Sequence, residues 1–238
     1  MNKKTFAATM TLLSLLAAAA GHAQDEGPWG GKASLGYLST TGNSETLNVS
    51  AAAELEYASG KWDHLAQVSA VGAQQDDETT AEAYLAAWKT EYSFSEFNYA
   101  FGRVRWQKDK FSGYDQQMSE TVGYGRRILH SDRHTLNGEA GVGLRQSDLR
   151  DGTSEDETIL RGSLDYTLKL SENAEFGQDF LVESGAENTF MESVTELKAS
   201  LIGELALKAS YTIRRNTSVP VGSEKTDTFT AISLEYEF

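Results

Sequence analysis

From Lys32 onward, apolar residues recur at every second position along the chain. Between Leu47 and Tyr57 one face carries Leu47, Val49, Ala51, Ala53, Leu55 and Tyr57, and the other carries Asn48, Ser50, Ala52, Glu54 and Glu56. Between Leu160 and Leu170 the split is Leu160, Gly162, Leu164, Tyr166, Leu168 and Leu170 against Arg161, Ser163, Asp165, Thr167 and Lys169. A helix would scatter these residues around its circumference, whereas a strand sorts them to two faces. The same sorting recurs at 136–144, 205–213 and 232–238, and is weaker at 62–72 and 116–128.

The pattern predicts twelve strands, near 32–40, 45–58, 61–74, 80–93, 97–108, 117–129, 134–146, 157–170, 173–183, 192–202, 204–215 and 227–238. Most of these segments have the length of a tilted strand crossing a hydrocarbon layer. Predicted connections after the even strands are short, such as Ser59-Gly60, Ser171-Glu172 and Gly203. Those after the odd strands from the third onward are longer and more polar, such as 147–156 and 216–226; the first, 41–44, is an exception. Short turns at one rim and long loops at the other are the habit of transmembrane barrels.

Alternation alone does not say which face meets water. In a soluble barrel the apolar face turns inward, and in an outer-membrane barrel it meets lipid. Four features favour the second. Aromatic residues gather at strand ends, with Tyr57, Trp62, Tyr92, Phe94, Tyr236 and Phe238 near the short-turn rim and Tyr37, Trp106 and Phe180 nearer the other. Two such belts suit the two bilayer interfaces. The polar face is charged in mid-strand, and the strand count is even. The chain also ends on Leu234, Tyr236 and Phe238 at alternate positions, which resembles the signal read by the outer-membrane assembly machinery. The expected fold is therefore an all-β, antiparallel transmembrane barrel of about twelve strands.

The first residues carry a different signal. Lys3 and Lys4 precede an apolar run from Phe6 to Ala20, and Gly21-His22-Ala23 offers small residues ahead of Gln24. This reads as a signal peptide over residues 1–23, with the barrel as one domain over 24–238. The run is too short to span a bilayer. Export through the Sec route to the outer membrane of a Gram-negative cell follows, past periplasmic chaperones to the assembly machinery.

Composition narrows the chemistry. The chain of 238 residues has no cysteine, so disulfides and thiolate metal sites are excluded. It carries 21 Lys and Arg against 35 Asp and Glu, a net charge of −14, which argues against nucleic acid as a partner. Aromatic residues at 10% are many for a disordered chain.

The tract 99–106 (Tyr-Ala-Phe-Gly-Arg-Val-Arg-Trp), the run 109–115 and Val122-Gly123-Tyr124-Gly125-Arg126 together resemble the YdiY-like family of salt-induced outer membrane proteins, a domain of unknown function. Gly36-Tyr37 with 41–44, and the stretch 219–227, are similar to the same family. The resemblance spans nearly the whole chain after the signal. It implies an outer-membrane barrel and a setting of osmotic or salt stress, and no established activity.

Enzymatic barrels generally use a histidine, and only His64, His130 and His134 follow the signal. All three are expected near the short-turn rim, as solvated residues, and no nucleophile elbow or metal motif accompanies them. A non-enzymatic protein without cofactor or metal is expected. The inner face is richer. Parity sends Glu54, Glu56, Arg103, Arg105, Glu139, Arg145, Arg161, Asp165 and Lys169 inward, among others. Two readings stand side by side: a salt-bridge network bracing the lumen, or a narrow charge-lined pore in which these residues meet the permeating solute. No loop is long enough to form a large plug. The acidic tracts 76–78, 148–157 and 183–192 read as solvated loops, with divalent-cation binding as the alternative.

Overall fold

The computed structural model describes residues 27–40, 46–75, 78–109, 114–149, 152–219 and 224–238. Residues 1–26, which include the predicted signal segment, lie outside them, as do 41–45, 76–77, 110–113, 150–151 and 220–223.

Twelve antiparallel strands close into one barrel in chain order. They are β1 Trp29–Thr40, β2 Thr46–Ser59, β3 Trp62–Gln75, β4 Glu78–Ser93, β5 Asn98–Asp109, β6 Tyr114–His130, β7 His134–Leu149, β8 Ser154–Ser171, β9 Ala174–Ser184, β10 Thr189–Ile202, β11 Leu205–Asn216 and β12 Thr226–Glu237. Closure leaves few backbone donors or acceptors to face hydrocarbon, where each unpaired one costs several kcal/mol. Register is held over twelve residue pairs between β1 and β2 and fourteen between β2 and β3. The seam is shorter: β1 meets β12 over only five, from Lys32↔Glu237 to Gly36↔Ser233.

The alternating pattern puts its apolar set outside. Val122, Val142, Leu160, Leu164, Leu197, Ile232 and Leu234 are all exposed on the outer wall, which only lipid makes comfortable. At the short-turn rim that wall ends in paired rings: Trp29 against Tyr57 at 4.6 Å, Trp62 against Tyr92 at 4.8 Å and Tyr236 against Phe238 at 6.3 Å. Amphipathic rings settle at such an interface. Phe238 is tied to β1 by exchanged backbone hydrogen bonds with Gly31 (2.8 and 2.9 Å). A Cβ at Gly31 would lie 2.7 Å from the Phe238 ring, so glycine there gives the terminal ring its seat.

The opposite rim departs from expectation. The long polar loops are largely strand: β7 runs to Leu149 and β8 starts at Ser154, so only four residues separate them, and β3 and β4 are separated by two. The predicted parity of loop length is correspondingly weaker. Polar residues do not stop a ladder in water as long as cross-strand pairs hold it. Gln146↔Asp156 and Asp148↔Ser154 continue the β7–β8 register, and Asp148 accepts from Ser154 and Gln116 at 2.7 Å each. The hairpins thus stand beyond the apolar band as two-stranded extensions.

The inner face is not purely polar. Tyr99 (2% exposed) and Phe101 (4%) point inward from β5. Their rings need flat neighbours. A Cβ at Gly125 would strike the Tyr99 ring, and one at Gly123 would lie 2.8 Å from Phe101. Gly125→Val is expected to prevent the heat-modifiable, folded form seen by gel mobility, and Tyr99→Ala in the same chain to restore part of it.

Candidate functional site

Two sets of elements enclose the lumen differently. The inner faces of β2 and β3 are lined mainly by Ser50, Ala52, Gln67, Ser69, Val71 and Ala73, all only half-buried. The inner faces of β5 to β8 carry long side chains that fill the space before them: Arg105 is 4% exposed, Arg145 2%, Arg161 5% and Glu139 6%.

The filled half is built from shared carboxylates. Glu139 on β7 accepts from Lys89, from Arg161 at 2.7 Å, from the Tyr99 hydroxyl at 3.0 Å and from Ser163 at 3.2 Å. Glu192 on β10 accepts from Arg105 at 3.1 and 3.2 Å, across the lumen, and from Arg214 at 2.6 Å. Aromatic rings lie under the guanidinium groups. Arg161 stands 5.1 Å over Phe101, and Arg105 stands 5.0 Å over Phe190. A guanidinium stacks on a ring more readily than an ammonium does, because it is planar and weakly hydrated.

A third group sits towards the extended-hairpin end. Arg145 donates to Glu157 at 3.0 and 2.5 Å and to the Asn188 carbonyl at 2.5 Å. Asn188, 3% exposed, bonds Asn216 at 2.7 Å and accepts from the Thr217 amide at 3.0 Å. The turn between β9 and β10 is thereby drawn into the barrel mouth. Towards the short-turn end lies a cavity of about 440 Å³, lined by Glu56, Asp63, Lys89, Tyr99, Arg127 and Asp165 among others. Nearby, Lys198 and Lys208 share Glu235, at 3.9 and 2.6 Å.

The residues singled out by parity are distributed accordingly. Arg105, Glu139 and Arg161 come together at mid-lumen with Arg103. Arg145 belongs to the hairpin end, paired with Glu157. Glu54 pairs with Lys32 at 3.3 Å on the β1–β2 wall. Glu56 and Asp165 line the cavity at the short-turn end, and Lys169 is exposed at a rim depression beside His130 and Arg133.

Some groups differ from the sequence reading. Glu183, Glu192 and Glu157 are not solvated loop residues. Glu183 is 4% exposed, and the side chains of Glu192 and Glu157 are 15% and 7% exposed, on the inner wall, where the latter two serve as counterions. They share the parity of their strands' inner faces, and that signal was present in the sequence. Among the described residues no three His, Asp or Glu side chains gather closely enough to hold a metal ion. His64 is a strand residue inside the outer aromatic belt, parallel to Trp62 and bonded to Thr90 at 3.0 Å. His134 bonds the Tyr166 hydroxyl at 2.8 Å on the same outer side.

A sequence model described as "Protein of unknown function, DUF481" matches residues 33–238. The chain belongs to this family. It is 29% identical over 215 residues to the uncharacterized protein YdiY of Escherichia coli strain K12, covering 88% of this chain and 83% of YdiY. Among solved structures, an outer membrane channel from Pseudomonas putida F1 aligns with a TM-score of 0.55 at 8% identity, over 91% of this chain and 97% of the other. The NanC porin aligns with 0.54 at 9% identity, over 87% and 100%. The translocator domain of the autotransporter NalP from Neisseria meningitidis aligns with 0.50 at 10% identity, over 99% and 97%. At such low identities the likeness concerns the fold, and the fold is that of outer-membrane barrels. With its lipid-facing outer wall, this DUF481 member is an outer-membrane β-barrel protein.

Proposed function

We propose that the barrel is a narrow channel for small ions or solutes, with its passage off-centre, and not an enzyme. The observation that carries this is the unequal lining of the lumen. Bulky ion-paired side chains occupy the space before β5 to β8, while β2 and β3, farther round the ring, present small, half-buried Ser50, Ala52, Ser69 and Ala73. A twelve-strand ring is wider than the eight-strand barrels that side chains alone can fill. Water and small ions would pass along the small-residue wall, with Arg103 turned towards it, the buried Arg105, Arg145 and Arg161 charging the interior behind, and the carboxylates Glu54 and Glu56 on the other side. Such a transverse field selects by charge without a dedicated binding cage. The family resemblance adds osmotic or salt stress as the setting, and the terminal Leu234, Tyr236 and Phe238 supply the assembly signal.

The test is single-channel recording of the refolded mature protein in a planar bilayer. Discrete conductance steps are expected, and Ala52→Trp, which narrows the small-residue wall, should cut their size by half or more. Silence from barrels shown to be folded and inserted would overturn the channel. It would favour the second reading, a non-conducting envelope protein braced by the same ion pairs.

A further inference from the structure

The cations of the mid-lumen are not equally provided for. Arg105 and Arg214 share Glu192, and Lys89 and Arg161 share Glu139, with Glu91 also 2.7 Å from Lys89. Arg103 stands in the same layer, its β5 position registered with Lys89 on β4 and Thr121 on β6. Among the described residues it has no carboxylate within ion-pair distance; its polar contact is a long one, 3.4 Å to the Gln67 amide oxygen on β3. Two further acids face this cluster: Glu183, which accepts from Ser119 at 3.4 Å, and Asp165 towards the short-turn end, and neither makes an ion pair with Arg103.

Burial sharpens the imbalance. The Nε atoms of Arg103, Arg105 and Arg161 are shielded and have no hydrogen-bond partner among the described residues. The stacked rings of Phe101 and Phe190 supply no formal negative charge. A buried lysine relieves such a site by losing its proton, but a guanidinium does not deprotonate in proteins. Glu139, Glu183 and Glu192 answer its charge only at a distance, and no carboxylate among the described residues touches its terminal amino groups. The contact to Gln67 sends Arg103 towards β3, the side of the small-residue wall. Its terminal amino groups therefore face the route by which solutes would enter.

We propose that the open edge of Arg103 is a binding site for a small oxyanion, carboxylate or phosphate in type. The guanidinium fork matches two oxygens of one such group, and charge-assisted bonds of this kind are stronger than neutral ones. Arg105 and Arg161 raise the local positive potential but keep their own carboxylates. The site rests on the off-centre passage insofar as the anion must reach mid-lumen through it.

Binding is tested in micelles, with no bilayer and no current. Inorganic phosphate, and separately acetate, is titrated calorimetrically into the refolded protein at fixed ionic strength. Arg103→Gln should weaken binding of both about tenfold or more, whereas Lys61→Gln, at the exposed β2–β3 turn, should leave it unchanged. Arg103→Lys keeps the charge without the fork. It should lose the preference for phosphate over chloride, and it serves in place of the glutamine variant should that fail to refold. Equal phosphate binding by wild type and Arg103→Gln would overturn the site. So would chloride competing as well as phosphate in the wild type, since a point charge would then suffice. A barrel that binds phosphate at Arg103 but passes no current removes the channel and leaves this site standing. One that conducts without binding does the reverse.

Discussion

Glu139→Gln should destabilise the folded barrel by about 3 kcal/mol or more, the usual cost of removing one partner from a buried ion pair. The Glu139 carboxylate is fully enclosed, and four donors converge on it from β4, β5 and β8. The amide is nearly isosteric, so no cavity forms. It leaves Lys89 and Arg161, with side chains 13% and 3% exposed, without their common counterion. The comparison is Glu54→Gln, whose partner Lys32 is 35% exposed and whose loss should cost no more than about 1 kcal/mol. Urea unfolding of both variants in lipid vesicles gives the two midpoints. If Glu139→Gln moves the midpoint no further than Glu54→Gln does, this carboxylate is not a structural strut and water reaches it.

The second large effect is on the outside. Leu164→Arg places a guanidinium on the outer wall of β8, within the run of outward apolar residues that includes Leu160 and Leu170. Near the bilayer midplane this should cost about 2–4 kcal/mol, and close to the interface about 0–1. Thr158→Arg, on the same face of the same strand but beyond the apolar run, supplies the interfacial case. In vesicles the two variants should differ by about 1–4 kcal/mol. Equal, small effects would mean that the outer wall of β8 does not lie in hydrocarbon. The same pair of variants thus tests the inside-out arrangement directly, without relying on conductance.

How much of this was legible beforehand follows from what a two-residue period can and cannot encode. Parity placed Arg103, Arg105, Arg161 and Glu139 on the inner face, because side-chain direction is fixed by position along a strand. It could not say which acid serves which base. Glu192 lies 87 positions from Arg105, on strands that are not neighbours, and that distance is bridged only once the ring closes, whereas Glu139 meets Arg161, 22 positions on, diagonally across the β7–β8 hairpin, where the register and not the parity decides the partner. The acidic stretch from Glu183 to Glu192 was misread because a run of charge usually means solvent. Here the hairpin turns tightly enough that both acids fall on inner-facing strand positions. The inward rings of Tyr99 and Phe101 left a fainter trace, the glycines at 123, 125 and 141, which share inner parity on neighbouring strands. The loop lengths at the far rim were overestimated for one reason: polar composition marks where hydrocarbon ends, not where pairing ends.

The five-pair seam gives the molecule a preferred way to come apart. Every other junction is longer, so thermal fluctuations should part the first strand from the last well before any hairpin frays. The amides at that junction should accordingly be among the first in the wall to trade their hydrogens with solvent. Opened there, the protein is a curled sheet with two bare margins, held in its curve by struts such as Arg105 to Glu192 that cross the interior. It behaves less like a rigid pipe than like a cuff with a single clasp.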